Sequence, residues 1–224
     1  MDSNSDNLIK RSEEWLKDHS LLTNDRRKRL AIIFFRTLHD RMLDINCLYR
    51  GKRYQGMLAI GRTLYETVIK LFWMLEEKDE SRALYLLIED IRNGHKKDKS
   101  LFSFMKHPKS IYHTKTAHVK AKLDEDSYYL SEIETEYENL TKQKYQEKKS
   151  YEKALEVLWE KQDPDTLIYI NKFYQDSSDI IHAGLSSSAK KVYQSEDVDP
   201  EALHTLLESF HKDSLDRLSK EFDA

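Results

Sequence analysis

One cysteine, Cys47, is all the chain has, which excludes an internal disulfide and a zinc site built on cysteines and fits a reducing compartment. Three prolines and five glycines in 224 residues leave few sharp turns, so long helices with solvated faces are expected. Charge of one sign is also missing. Against 37 Lys and Arg stand 40 Asp and Glu, so no global field draws the chain to nucleic acid and any such binding needs a local patch. No clean apolar run reaches the length of a membrane span, because the most apolar stretch, residues 56–75, is interrupted by Arg62, Glu66 and Lys70. The start, MDSNSDN, is polar and acidic where a secretory signal needs basic and then apolar residues, so a cytoplasmic protein is expected. Gly-rich phosphate loops, a serine nucleophile elbow and H-E-x-x-H do not occur.

What is present is helical periodicity. The stretch GMLAIGRTLYETVIKLFWML (56–75) is apolar over most of its circumference through Leu58, Leu64, Tyr65, Val68, Leu71, Phe72 and Leu75. Such a helix belongs at the centre of a bundle. Before it, residues 1–7 read as disordered and Leu8–Lys17 as a short helix. A long helix follows over about Asp25–Tyr49, capped by Thr23 or Asn24 and apolar at Leu30, Ile33, Phe34, Leu38, Met42 and Ile45. A fourth helix is expected over about Glu80–Arg92, ending at Gly94. Residues from about Asp126 to Lys161 read as one long charged helix or two shorter ones. Pro164 opens a helix that ends at Gly184, and Pro200 opens the last, through Leu203, Leu206, Leu207, Phe210, Leu215 and Leu218. The fold class is all-α: one helical bundle over 8–224 with a long charged insertion at about 92–161.

Two sets of residues could carry chemistry. Arg62 and Glu66 sit one turn apart at the edge of the apolar helix, and Tyr174, Ser178 and His182 form a row at i, i+4 and i+8 on a later one. Brought together, Arg62, Glu66, Ser178 and His182 offer a cationic anchor, a carboxylate and an imidazole able to move a proton near neutrality. The same residues equally suit a buried hydrogen-bond network that stitches two core helices.

The second set is the basic segment 92–122, with Lys96, Lys97, Lys99, Lys106 and Lys109 interleaved with aromatics. Lysines among aromatics suit phosphates and unpaired bases. An acidic run from Asp124 to Glu138 follows at once and could answer that charge within the fold. The histidines of the segment, His95, His107, His113 and His118, match no compact ligand spacing, so neither a metal nor a cofactor is expected. The large side chains of 126–161, among them Tyr128, Tyr129, Ile133 and Trp159, are too many for a helix exposed all round, so it is expected to pack on the bundle or on a second copy, the homodimer being favoured.

R-x-L-x-E at Arg62, Leu64 and Glu66, followed by Y-x-x-x-S-x-x-x-H at Tyr174, Ser178 and His182, resembles the uncharacterised bacterial family known as domain of unknown function 5677. The likeness spans about 54–80 and 155–185 and implies an all-helical bundle. A wider likeness is to the HEPN bundles of ribonuclease toxins and antiviral effectors, whose active members carry R-x(4–6)-H on one helix. This chain departs from that motif. Arg36 and His39 are too close, as are Arg92 and His95, and Ser177-Ser178 stands where the arginine before His182 is needed. The expected function is a HEPN-like stress or phage-defence protein, acting as an RNA-cleaving effector with Arg62 supplied from another helix. The alternative is a non-enzymatic module that binds a partner protein through the charged segment, with Arg62, Glu66 and His182 structural.

Overall fold

The structure, a computed structural model, describes residues 2–19, 21–106, 116–146 and 199–223. Every regular element among them is an α-helix: α1 (Asp2–Asp18), α2 (Arg26–Arg50), α3 (Tyr54–Glu76), α4 (Ser81–Met105), α5 (Thr116–Thr141) and α6 (Pro200–Phe222). The fold class is all-α. No helix among the described residues is long and apolar enough to cross a membrane.

The helices fall into two compact units, with α1, α2, α3 and α6 in one and α4 and α5 in the other; the division comes after Glu76. Residues 2–7, expected to be disordered, form the first turns of α1. They are held there by Asp6, whose Oδ1 lies 3.2 Å from an Arg50 nitrogen, and by Ser5, whose Oγ accepts from Asn46 at 3.4 Å.

In the first unit α3 is buried along most of its length, from Met57 and Leu58 through Leu64, Val68 and Leu71 to Leu75. The chain enters α2 through Asp25, whose carboxylate accepts from the Lys28 amide at 2.9 Å; Thr23, one of the two expected caps, instead accepts from the Asp25 amide. The core stripe of α2 is Phe35, Leu38, Met42 and Ile45, all within 1 % of complete burial, and Ile33 is exposed. The steps of three, four and three residues explain this, since they keep one seam facing its neighbours and turn Ile33 away. The turn into α3 is made by Lys52, whose φ of 54° is left-handed, beside Gly51. Gly56 then lets α3 pass α2, because a Cβ there would lie 3.2 Å from the Leu48 side chain. The last helix starts as the Asp-Pro-Glu signal predicts, with Asp199 accepting from the Glu201 amide at 3.0 Å.

In the second unit α4 and α5 pack antiparallel as a hairpin, joined across by Asp98 with Lys122 and by Arg92 with Glu134. Gly94, expected to end α4, lies inside it. One glycine costs about 1 kcal/mol in a helix, too little to stop one that packs beyond it. Helix α5 begins ten residues earlier than the expected Asp126 and stops where Lys142 turns left-handed at φ 57°. The helix expected from Pro164 to Gly184 lies outside the described residues.

Candidate functional site

Arg62 and Glu66 face the same way from the middle of α3, and the Arg62 Nε–H donates to Glu66 Oε1 at 3.0 Å. The Arg62 side chain is 13 % exposed and that of Glu66 34 %, so the pair sits at the rim of the core. The neighbouring hydroxyls are turned inward on their own helix, Thr63 donating to the Ile60 carbonyl and Thr67 to the Thr63 carbonyl. Neither is placed as a nucleophile. Tyr174, Ser178 and His182 lie outside the described residues, so of the expected cluster only the α3 half is described.

The lysines belong to the second unit. Lys96, Lys97 and Lys99 lie on exposed positions in the C-terminal half of α4, and Lys106 caps it with its ammonium 4.5 Å from the centre of the Phe102 ring. Lys109 lies outside the described residues. Helix α5 opens with Lys120 and Lys122 and continues through seven acids, Asp124, Glu125, Asp126, Glu132, Glu134, Glu136 and Glu138. Because the two helices run antiparallel, basic groups gather at the end where α4 finishes and α5 begins; Asp124, Glu125 and Asp126 follow directly on α5, and Glu132, Glu134, Glu136 and Glu138 lie further along. Lys122 is held by Asp98, whose hydrogen bond raises the ammonium pKa. Arg92 is held by Glu134 and stacks over Tyr145 at 4.4 Å. Lys97 and Lys99 have no acidic partner among the described residues.

Several polar residues of the first unit gave no signal in the sequence reading. Arg27 is buried, donating to the Leu75 carbonyl at 2.9 Å and pairing with Glu221 at 2.8 Å. It satisfies one of the carbonyls that the end of α3 leaves without a helical partner. His39 and His211 are buried, and His204 is half-buried. Burial holds all three imidazoles below their ordinary pKa. Among the described residues no group of three His, Cys, Asp or Glu side chains could hold a metal ion.

The profile of a family of unknown function, DUF5677, matches residues 28–202. The chain belongs to that family. No curated protein and no solved structure matches it. The DUF5677 match takes in α2, α3 and the whole α4–α5 hairpin, well beyond the two short stretches that carry the motif. It leaves out α1 and all of α6 after its first turn.

Proposed function

We propose that this DUF5677 protein is a cytoplasmic, HEPN-like effector of bacterial stress or phage defence, which engages single-stranded RNA through the basic end of the α4–α5 hairpin. The observation that carries this reading is that Lys97 and Lys99 stand exposed and without an acidic partner among the described residues, although α5 alongside offers seven acids. Had the acidic run served to neutralise α4, those lysines would be the first it met. In the proposed cleavage step the ribose 2′-oxygen attacks the adjacent phosphorus and the 5′-oxygen leaves. Arg62 supplies the cation that holds that phosphate, and Glu66 orients Arg62. His182, with Ser178 in the same motif, takes the 2′-hydroxyl proton and returns it to the 5′-oxygen. The expected outcome of expression in a bacterial host is growth arrest with fragmented total RNA. His182→Ala should abolish both, and an unharmed host with intact RNA under the wild-type chain would oppose the reading.

A second reading is favoured by a different feature. Phe104 and Tyr128 on the hairpin are more than 60 % exposed, and Tyr129 and Leu101 close to half. Exposed rings of this size suit a protein interface, for which a second copy of this chain is the occupant we favour. Sedimentation at micromolar concentration should give a dimer, and Tyr128→Glu with Phe104→Glu should return it to monomer. A clean monomer in the wild type would rule this reading out.

A further inference from the structure

Spacing of seven residues repeats on three helices of the first unit: Ser5 and Ser12 on α1, His39 and Asn46 on α2, His204 and His211 on α6. The contacts sort them into two layers. In one, His204 Nε2–H donates to Asn46 Oδ1 at 2.7 Å and Asn46 Nδ2–H to Ser5 Oγ at 3.4 Å. In the other, Ser12 lies 3.3 Å from His211 Nε2, and the His39 and His211 ring centres are 5.7 Å apart. Polar residues recurring at heptad spacing within an apolar seam fix the register of the helices that share them.

The two layers meet a proton differently. Ser12 donates its hydroxyl hydrogen to the Leu8 carbonyl at 2.9 Å, so its oxygen accepts, and His211 must carry its hydrogen on Nε2. His211 Nδ1 is then a bare lone pair, and like His39 Nδ1 it is buried with no hydrogen-bond partner among the described residues. A proton added there meets no acceptor among the described residues, and the Phe35 ring stacks on the face of His211 with the second imidazole 5.7 Å away. In the other layer the Nδ1 of His204 faces Glu208 at 3.9 Å, so a proton added there finds a carboxylate.

The charged groups around the Ser12–His39–His211 layer are few. Glu13 of α1 and Asp40 of α2 act on His39 and partly offset its burial. Lys212 and Asp213 adjoin His211 in sequence. No charged group of α3 acts on either ring among the described residues.

We propose that this layer is a proton-triggered release, by which acidification loosens α1 and α6 from α2. His211 shows the direction most strongly, burial and then His39 pushing its pKa down to about 3. A base whose pKa is lower packed than unpacked contributes stability at neutral pH, and that stability is lost as pH falls below the ordinary histidine value near 6.5. The α1 helix lies outside the family match and α6 almost wholly outside it.

Amide hydrogen exchange of the full chain, corrected for the intrinsic effect of pH, tests this at α6. Opening should rise about tenfold between pH 7.5 and 5.5 if one histidine takes up a proton, and about a hundredfold if both do. His211→Phe keeps the stacking on Phe35 and cannot be protonated, so it should remove about tenfold of that response. Carbon-detected titration of the wild-type imidazoles should show His211 still neutral at pH 5.5, and it decides the matter alone if the variant does not fold. Equal protection of α6 at both pH values, a full response in His211→Phe, or a folded His211 that titrates near 6.5 would each overturn the proposal.

Discussion

Arg27 and Arg62 both pair with a glutamate, yet their surroundings give them different weights. The Arg27 side chain is 7 % exposed and holds two elements, the Leu75 carbonyl of α3 and Glu221 of α6. Removing it takes this donor from the Leu75 carbonyl and from Glu221 and empties a buried site, and Arg27→Ala should cost about 3 kcal/mol in chemical denaturation. Glu66 is one-third exposed, so water partly replaces its partner. Glu66→Ala should cost about 1–2 kcal/mol, between the values for surface and buried pairs. A midpoint unchanged in Glu66→Ala would show the pair to be solvated, and a smaller loss for Arg27→Ala than for Glu66→Ala would reverse the ranking. Neither the burial nor the role of Arg27 could be read from sequence, because a basic residue at the start of a helix normally faces water. The distant Leu75 and Glu221 make it a core residue.

At the level of the helix the glycines separate what was legible from what was not. Among the described residues a Cβ at Gly94 would meet nothing within 4 Å, so Gly94→Ala should stabilise α4 by about 1 kcal/mol, seen as a raised denaturation midpoint. Gly56→Ala should give no such gain, because the added methyl presses on Leu48 at 3.2 Å. Gly94 carries the sequence signal of a helix end, and only the space around it shows otherwise. Helix α3 was legible because its apolar positions cover nearly the whole surface. The start of α6 was legible because Asp-Pro-Glu is a local signal that needs no tertiary partner. The seam of α2 was only half legible, since Ile33 and Phe35 are equally apolar and only the neighbours choose Phe35. His39, His204 and His211 were overlooked for a related reason. Their spacing of seven is visible on α6, but its meaning depends on α2 meeting α6 in reverse.

Taken as a whole, the chain has a helical unit with a buried polar seam and a hairpin with a lysine-rich end. Arg62 and Glu66 lie in the first, the lysines in the second, and the DUF5677 match includes both. The claim that rests most on this division is that the basic end of the hairpin is a polyanion surface. The salt dependence of single-stranded RNA binding tests it most directly. With Lys97, Lys99 and Lys106 each meeting one phosphate, the logarithm of affinity should fall with that of salt at a slope of roughly −2. Replacing the three by Gln should weaken binding and flatten the slope while leaving the denaturation midpoint within about 0.5 kcal/mol of wild type. Absence of RNA binding at low salt, or binding that the triple variant retains with its slope unchanged, would contradict it.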